Sequence, residues 1–276
     1  MKTFKITALS VGFFTMAFVA PNLPQTPVAQ AEPEGQSAFK DGERLTYRIY
    51  YNWNFVWLAA GEVTFKVFDE GKQYHFQAYG ETYDSYEWFY KAKHVHNSWA
   101  DKTTLLPNYS EREIQEGDRH NFEKIQFNQD SHKMTVWRSK QKGDPETKTE
   151  HNVKEQVHDI LSSMYFLRTI DFTKRSKGSE EPFRIFMDKE EFPLKMRYLG
   201  KESRKKVRGA GKFNTLKFEP QVIVGDVFKD DDKMTVWVSD DENRIPVLIE
   251  TPVSVGSVKV VLKDYSGLRH PLTSKQ

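Results

Sequence analysis

Along most of this chain, apolar residues recur at every second position. Leu45, Tyr47, Ile49 and Tyr51 form one such run, Val63, Phe65 and Val67 a second, and Tyr74, Phe76 and Ala78 a third. A period of two puts alternate side chains on one face of a strand. Glu70-Gly71-Lys72 lies between the second and third runs and predicts a hairpin turn. Similar runs follow at His94–Trp99, Phe122–Phe127, Met134–Trp137, Phe183–Met187, Leu194–Tyr198, Phe213–Phe218, Met234–Val238, Val247–Ile249 and Val258–Leu262. The connections are short, so the strands are expected to be antiparallel, about a dozen or more in all.

One stretch departs from that period. From Asn152 to Leu167, Val153, Val157, Ile160, Leu161, Met164 and Tyr165 recur at three- and four-residue spacing. This predicts a helix with one apolar face, capped by Asn152 with Glu155 in the first turn. The charged residues 138–151 before it read as a solvated loop. A lone amphipathic helix among many strands buries its stripe in a concave sheet. The expected fold is all-β dominated: a single strongly curved antiparallel sheet, an open or half-closed barrel or β-spiral, wrapped around that helix.

The N-terminus has its own pattern. Lys2 and Lys5 precede an apolar run from Thr7 to Ala20, and Ala29-Gln30-Ala31 is a small-x-small site. This reads as a signal peptide over 1–31. A flexible lead-in over 32–41, a single β domain over 42–268 and a C-terminal tail over 269–276 complete the expected organisation. The 276 residues hold 41 Lys+Arg and 39 Asp+Glu; the first 31 contain two of those lysines and no acid, so the remainder is neutral. Neutrality argues against a nucleic-acid partner. The chain has no cysteine, so core packing must stabilise it and no lipid-modified cysteine can anchor it. A soluble, exported protein is expected, with no transmembrane segment after cleavage.

Candidate chemistry is sparse. His94 and His96 share one strand face, but no third metal ligand follows from spacing, and solvent-facing histidines are expected. Asp230-Asp231-Asp232 lacks the pattern of a cation loop and reads as a hairpin tip. Gly209-Ala210-Gly211-Lys212 is too short for a phosphate loop. The basic cluster from Arg204 to Arg208 reads as a charged strand edge. His158-Asp159 with Ser162 and Ser163 has the residue types of a triad without a strained nucleophile turn. No catalytic residue, metal or cofactor is assigned. Lys133-Met-Thr-Val-Trp137 and Lys233-Met-Thr-Val-Trp237 are identical, which half-sheet duplication or convergence would explain.

The densest aromatic segment is Tyr83, Tyr86, Trp88, Phe89 and Tyr90. As a strand it would be apolar on both faces. Tyr86, Trp88 and Tyr90, with Trp57, are the candidates for the rim of an apolar groove, since their rings are apolar and their tips can stay wet.

A set of ordered motifs spans nearly the whole chain. It begins with Gly42-Glu43-x-Leu45-x-Tyr47 and Ala60-Gly61. Asp159-Ile-Leu-Ser162-x-x-Tyr165-x-x-Arg168 and Gly211-x-Phe213 with Lys217 follow. Val236-Trp-Val-Ser-Asp240-Asp-x-x-Arg244-x-Pro246-Val247 and Gly256-Ser257 complete it. Together they resemble the DUF3108 family of exported bacterial proteins of undefined function. The resemblance implies a Gram-negative periplasmic setting and supplies no catalytic residues. Asp159, Tyr165, Arg168, Gly61, Asp240, Arg244 and Pro246 read as fold markers, with Asp159 and Arg168 either pairing with strand ends or exposed. The expected role is non-enzymatic binding of a lipid or another apolar small molecule in the concave groove. Alternatives are a scaffolding partner of another envelope protein, or a hydrolase with an unrecognised site.

Overall fold

The structure is a computed structural model that describes residues 38–53, 56–87, 90–221, 233–253 and 256–276. Its strands are β1 (Arg44–Trp53), β2 (Val56–Asp69), β3 (Gln73–Thr82), β4 (Ala92–Asp101), β5 (Pro107–Glu116), β6 (Arg119–Asn128), β7 (Lys133–Ser139) and β8 (Thr147–Asn152). After the main helix come β9 (Glu180–Met187), β10 (Glu190–Val207), β11 (Gly211–Pro220), β12 (Thr235–Ser239), β13 (Pro246–Pro252) and β14 (Ser257–Ser266). Two helices accompany them, α1 (Asp84–Glu87) and α2 (Ile160–Thr169).

All described strands form one antiparallel sheet, in the order β8-β7-β6-β5-β4-β3-β2-β1-β14-β13-β12-β11-β10-β9. The alternation seen in sequence sorts the faces. Leu45, Tyr47, Val63, Phe65, Val67, Phe76 and Ala78 are buried, and α2 packs on that face against β3, β4 and β9. The sheet is not a closed barrel. Its edge strands, β8 and β9, are joined by the segment between β8 and α2. There His158 makes an isolated parallel bridge to Ile185: its N–H donates to the Arg184 carbonyl at 2.8 Å, and the Phe186 N–H donates to its carbonyl at 2.8 Å. This satisfies part of an edge that would otherwise present unpaired backbone groups.

A second link crosses the concavity. The β9–β10 hairpin turns on Asp188 and Lys189, both at positive φ (50° and 72°), as a two-residue turn with the strand twist requires. Its Asp188 carboxylate accepts from Arg112 of β5, and from Arg138 of β7 at 3.0 Å. Arg112 and Arg138 both also pair with the buried Glu123 of β6.

The helix begins later than its periodicity predicts. Asn152 ends β8, and the cap is Asp159, whose carboxylate accepts from the Ser162 N–H at 2.9 Å while Ser162 Oγ accepts from the Asp159 N–H at 3.0 Å. Val153 and Val157 are buried off the helix, in a small cluster with Phe127, Met134, Val136 and Phe186. Glu155 pairs with Arg184 of β9 at 2.9 Å. That second core draws residues 153–159 away from the helix. The strand β8 likewise occupies what reads as a loop over 138–151.

Other expectations also change. Where it is described, the aromatic segment is not a strand: α1 follows directly on β3, and its Tyr86 is buried. The lead-in over 32–41 is tied down where it is described. Ala38 and Phe39 are fully buried, and Phe39 packs edge-on against Tyr74, Phe76 and Tyr165. The tail over 269–276 is anchored by a bridge between Lys275 and Phe213 and by the His270 N–H donating to Asn243 at 2.9 Å. The two identical pentapeptides sit in unlike places. That in β7 lies one strand from an edge; that ending in β12 lies three strands from the other edge. Asp230-Asp231-Asp232 lies outside the described residues.

Candidate functional site

Two side-chain rows run across the first half of the concave face. Register places Tyr47, Val63, Gly80, His94 and Ile114 in one row, and Leu45, Phe65, Ala78, His96 and Arg112 in the next. Along β3 the inward side chains shrink from Phe76 to Ala78 to Gly80. With nothing at Gly80 and one methyl at Ala78, space is left on this face, and His94 and His96 are among the residues that line it. The resulting pocket is open to solvent on one side and has an accessible volume of about 50 Å³. Ile49, Ala60, Val63, Ala78 and Ala92 form its apolar walls. Tyr86 and Tyr90 close one side, and His94 and His96 lie at its polar end.

Gly61 belongs to the same wall and is fixed by backbone proximity. A Cβ there would lie 2.2 Å from the Glu81 carbonyl oxygen of β3. The β1–β2 register shifts at the same place, between Ile49 and Tyr50, which turns Ala60 inward to line the pocket.

Both histidines are buried, contrary to the solvent-facing expectation. Burial first, then the positive charge of Arg112, holds His96 well below the usual imidazole range, so it is neutral. His94 lies 3.4 Å from the Glu116 carboxylate. Burial and the neighbouring Glu116 carboxylate push the Tyr90 hydroxyl up, so it stays protonated. Among the described residues no cluster of three or more His, Asp or Glu side chains could hold a metal.

The other candidates are placed elsewhere. Trp57 is not among the pocket walls; its ring lies under Arg208 (4.9 Å) and Lys259 (4.7 Å) and edge-on to Tyr50. Trp88 lies outside the described residues. Tyr165 stacks on Phe76 at 3.9 Å within the core. Asp159 accepts from Ser98 of β4 at 2.5 Å and so docks the start of α2 to the sheet. Arg168, at its other end, is buried against Glu43. Arg244 sits in a turn at φ 46°, donating to the Arg168 carbonyl at 3.2 Å; Pro246 opens β13, and Asp240 pairs with Lys201.

His158 and Ser162 meet, with Nδ1 3.3 Å from Oγ, but both are buried and neither lines the pocket. Burial, partly opposed by a hydrogen bond to the Leu105 backbone, lowers the His158 pKa to about 3. Such an imidazole is a poor general base at neutral pH. Sequence reasoning missed Ala78, Gly80 and Ala92. Their signal is faint: small residues at inward positions of two neighbouring strands.

A family profile described as "Protein of unknown function (DUF3108)" matches residues 46–263. No curated protein matches. The solved structure of a β-barrel-like protein of the DUF1849 domain of unknown function from Brucella abortus is similar over 83% of this chain and 98% of its own, with a TM-score of 0.55 and 9% identity. An exported-protein candidate from Bacteroides fragilis with a YmcC-like fold aligns over 84% of this chain and all of its own, at 9% identity, but its TM-score of 0.29 carries no argument. The first of these shows a shared fold alone. No helix among the described residues is long and apolar enough to cross a membrane.

Proposed function

The chain belongs to the DUF3108 family, and on that premise we propose that it is a non-enzymatic binding protein of the Gram-negative periplasm. Its ligand is a small apolar molecule, or the end of an acyl chain, held between β1–β4 and α1. One observation carries the reading: the concave face opens into a pocket with mostly apolar walls and about 50 Å³ of accessible volume, room for a chain end or a small apolar group and too small for a whole diacyl lipid. Burying apolar ligand surface there gains roughly 25 cal/mol per Å². Export is supported by the charged start, short apolar run and Ala-x-Ala site of residues 1–31. The non-enzymatic part is supported by the burial of the His158–Ser162 contact at the start of α2, away from the pocket.

The test uses the mature protein and a fluorescent apolar dye such as 1-N-phenylnaphthylamine. Gly80→Val places a side chain into the pocket, where the added Cβ meets Val63 at an ordinary 3.5 Å. The expected result is saturable dye binding by the parent and its loss in the variant at an unchanged melting temperature. Equal dye binding by both would refute the pocket as the site.

A further inference from the structure

Resting on the pocket reading, we infer that the β1–β2 hairpin docks on a lipid bilayer with anionic headgroups, and that its apolar face is the path by which the ligand passes between bilayer and pocket. Among the described residues three large apolar side chains are exposed, Val56 (62%), Leu58 (42%) and Phe68 (37%), and the first two stand together at the start of β2. Two residues apart on a strand, they share a face. β3 pairs with β2 only from Gly61 onward, so residues 56–59 run past its end, a reach of about 13 Å.

That face is continuous with the pocket. Leu58 pairs with Tyr51, and Ile49, two residues before Tyr51 on β1, lines the pocket with Ala60. Burial, and then the nearby Tyr51 hydroxyl, raises the pKa of Tyr86, so Tyr51 stands close to a side chain of the pocket. Val56, Leu58, Tyr51 and Ile49 thus form one strip from the turn to the pocket wall.

The opposite face of the hairpin carries rings and cations. Trp57 lies under Arg208 (4.9 Å) and Lys259 (4.7 Å), and Arg208 also lies over Tyr50 at 5.7 Å. Glu250 engages Lys259 at 2.8 Å, whereas no carboxylate among the described residues pairs with the exposed Arg208. A headgroup region suits this arrangement: apolar tips enter the acyl boundary, the indole and phenol sit at its polar border, and the guanidinium meets lipid phosphate. A second copy of the chain is the poorer occupant, because two side chains cover far less than the roughly 1,200 Å² of a stable protein interface.

The experiment floats the mature protein with mixed phosphatidylethanolamine–phosphatidylglycerol vesicles and, separately, with phosphatidylcholine vesicles. The parent is expected to bind the anionic vesicles more tightly. The double replacement Val56→Ser with Leu58→Ser is expected to weaken binding to them at least about tenfold. Arg208→Gln is expected to weaken it about fivefold, with less than about twofold effect on phosphatidylcholine. Without vesicles, the double variant is expected to melt with the parent and to bind the dye within about twofold of it. No vesicle binding by the parent, no preference for the anionic vesicles, or equal binding by the double variant overturns the docking inference and leaves the pocket reading intact. A parent that sediments as a dimer without vesicles, with the double variant monomeric, assigns the patch to a second copy and also overturns the inference. Vesicle binding without any dye binding overturns the pocket reading and the path that rests on it.

Discussion

Arg168, in the last turn of α2, holds Glu43 in a two-pronged ion pair, with hydrogen bonds of 2.6 and 2.8 Å and both side chains buried. The same guanidinium donates to the carbonyls of Asn243 (3.0 Å) and Ala38 (3.3 Å) and lies over the rings of Phe39 and Tyr165. One side chain thus ties the helix to the residue preceding β1 and to the β12–β13 turn. Removing one partner leaves the other charged and buried. We expect Glu43→Leu and Arg168→Met each to cost about 3–5 kcal/mol, and the double replacement of both to cost clearly less than the sum. Urea unfolding of the four proteins checks this; additive losses would mean the pair is not coupled.

The other end of the helix predicts a pH dependence with two opposing parts. Burial raises the Asp159 pKa to about 6, although bonds from Ser98, Ser162 and Leu161 pull it down. The folded state then binds a proton that the unfolded state releases, so this group loses stability as pH rises from about 4 to 6, on the order of 3 kcal/mol. His158 works the other way. Its folded pKa of about 3 lies below the ordinary 6.5, so its contribution is complete above pH 6.5 and is lost as pH falls toward 3. His158 has the larger shift, and His96 adds to it, so acid destabilises the parent overall. Asp159→Asn retains a cap but cannot ionise. Its stability relative to the parent should climb from pH 4 to 6 and then level off in a series of melts; a constant difference would contradict the raised pKa.

At the pocket wall, Gly61→Ala forces a methyl against the Glu81 carbonyl oxygen, 2.2 Å from the ideal Cβ position. The obstacle is backbone of a paired strand and cannot swing aside. A loss of about 1–3 kcal/mol or more is expected, together with weaker dye binding as β2 and β3 separate. Gly80→Ala, whose Cβ finds 3.5 Å, serves as the comparison and should cost under about 1 kcal/mol. Chemical denaturation of both proteins separates the cases.

Along α2, Leu161 is 2% exposed whereas Ile160 is only half-buried. Leu161→Ala should cost about 2–5 kcal/mol and Ile160→Ala less than half of that. Melting midpoints that rank the two the other way would mean the helix is rotated from the position described.

The identity of the strands could be read locally because a half-buried strand records its environment in a period of two. Leu45, Tyr47 and Ile49 all take the inward face. The boundaries of α2 could not. Asn152 and Asp159 are equally good caps, and Val153 and Val157 fit the helical stripe. What excludes them is a cluster with Phe127 and Phe186, contributed by strands on either side in sequence. The aromatic segment Tyr83–Tyr90 was ambiguous for a related reason: density of rings signals burial but not the backbone that delivers it.

The sequence by itself determined that the chain is mostly strand and has one principal helix, since each follows from periodicity within a short window. Only the tertiary structure decided the pocket. Gly80 of β3, Ala60 of β2 and Ala92 of β4 become one cavity through cross-strand register. His94 and His96 become its floor only because Arg112, Glu123, Asp188 and Arg138 close behind them, brought together from β5, β6, β7 and the β9–β10 turn. Local spacing carries no information about which strand lies beside which, and burial of a polar side chain depends on what those neighbours bring.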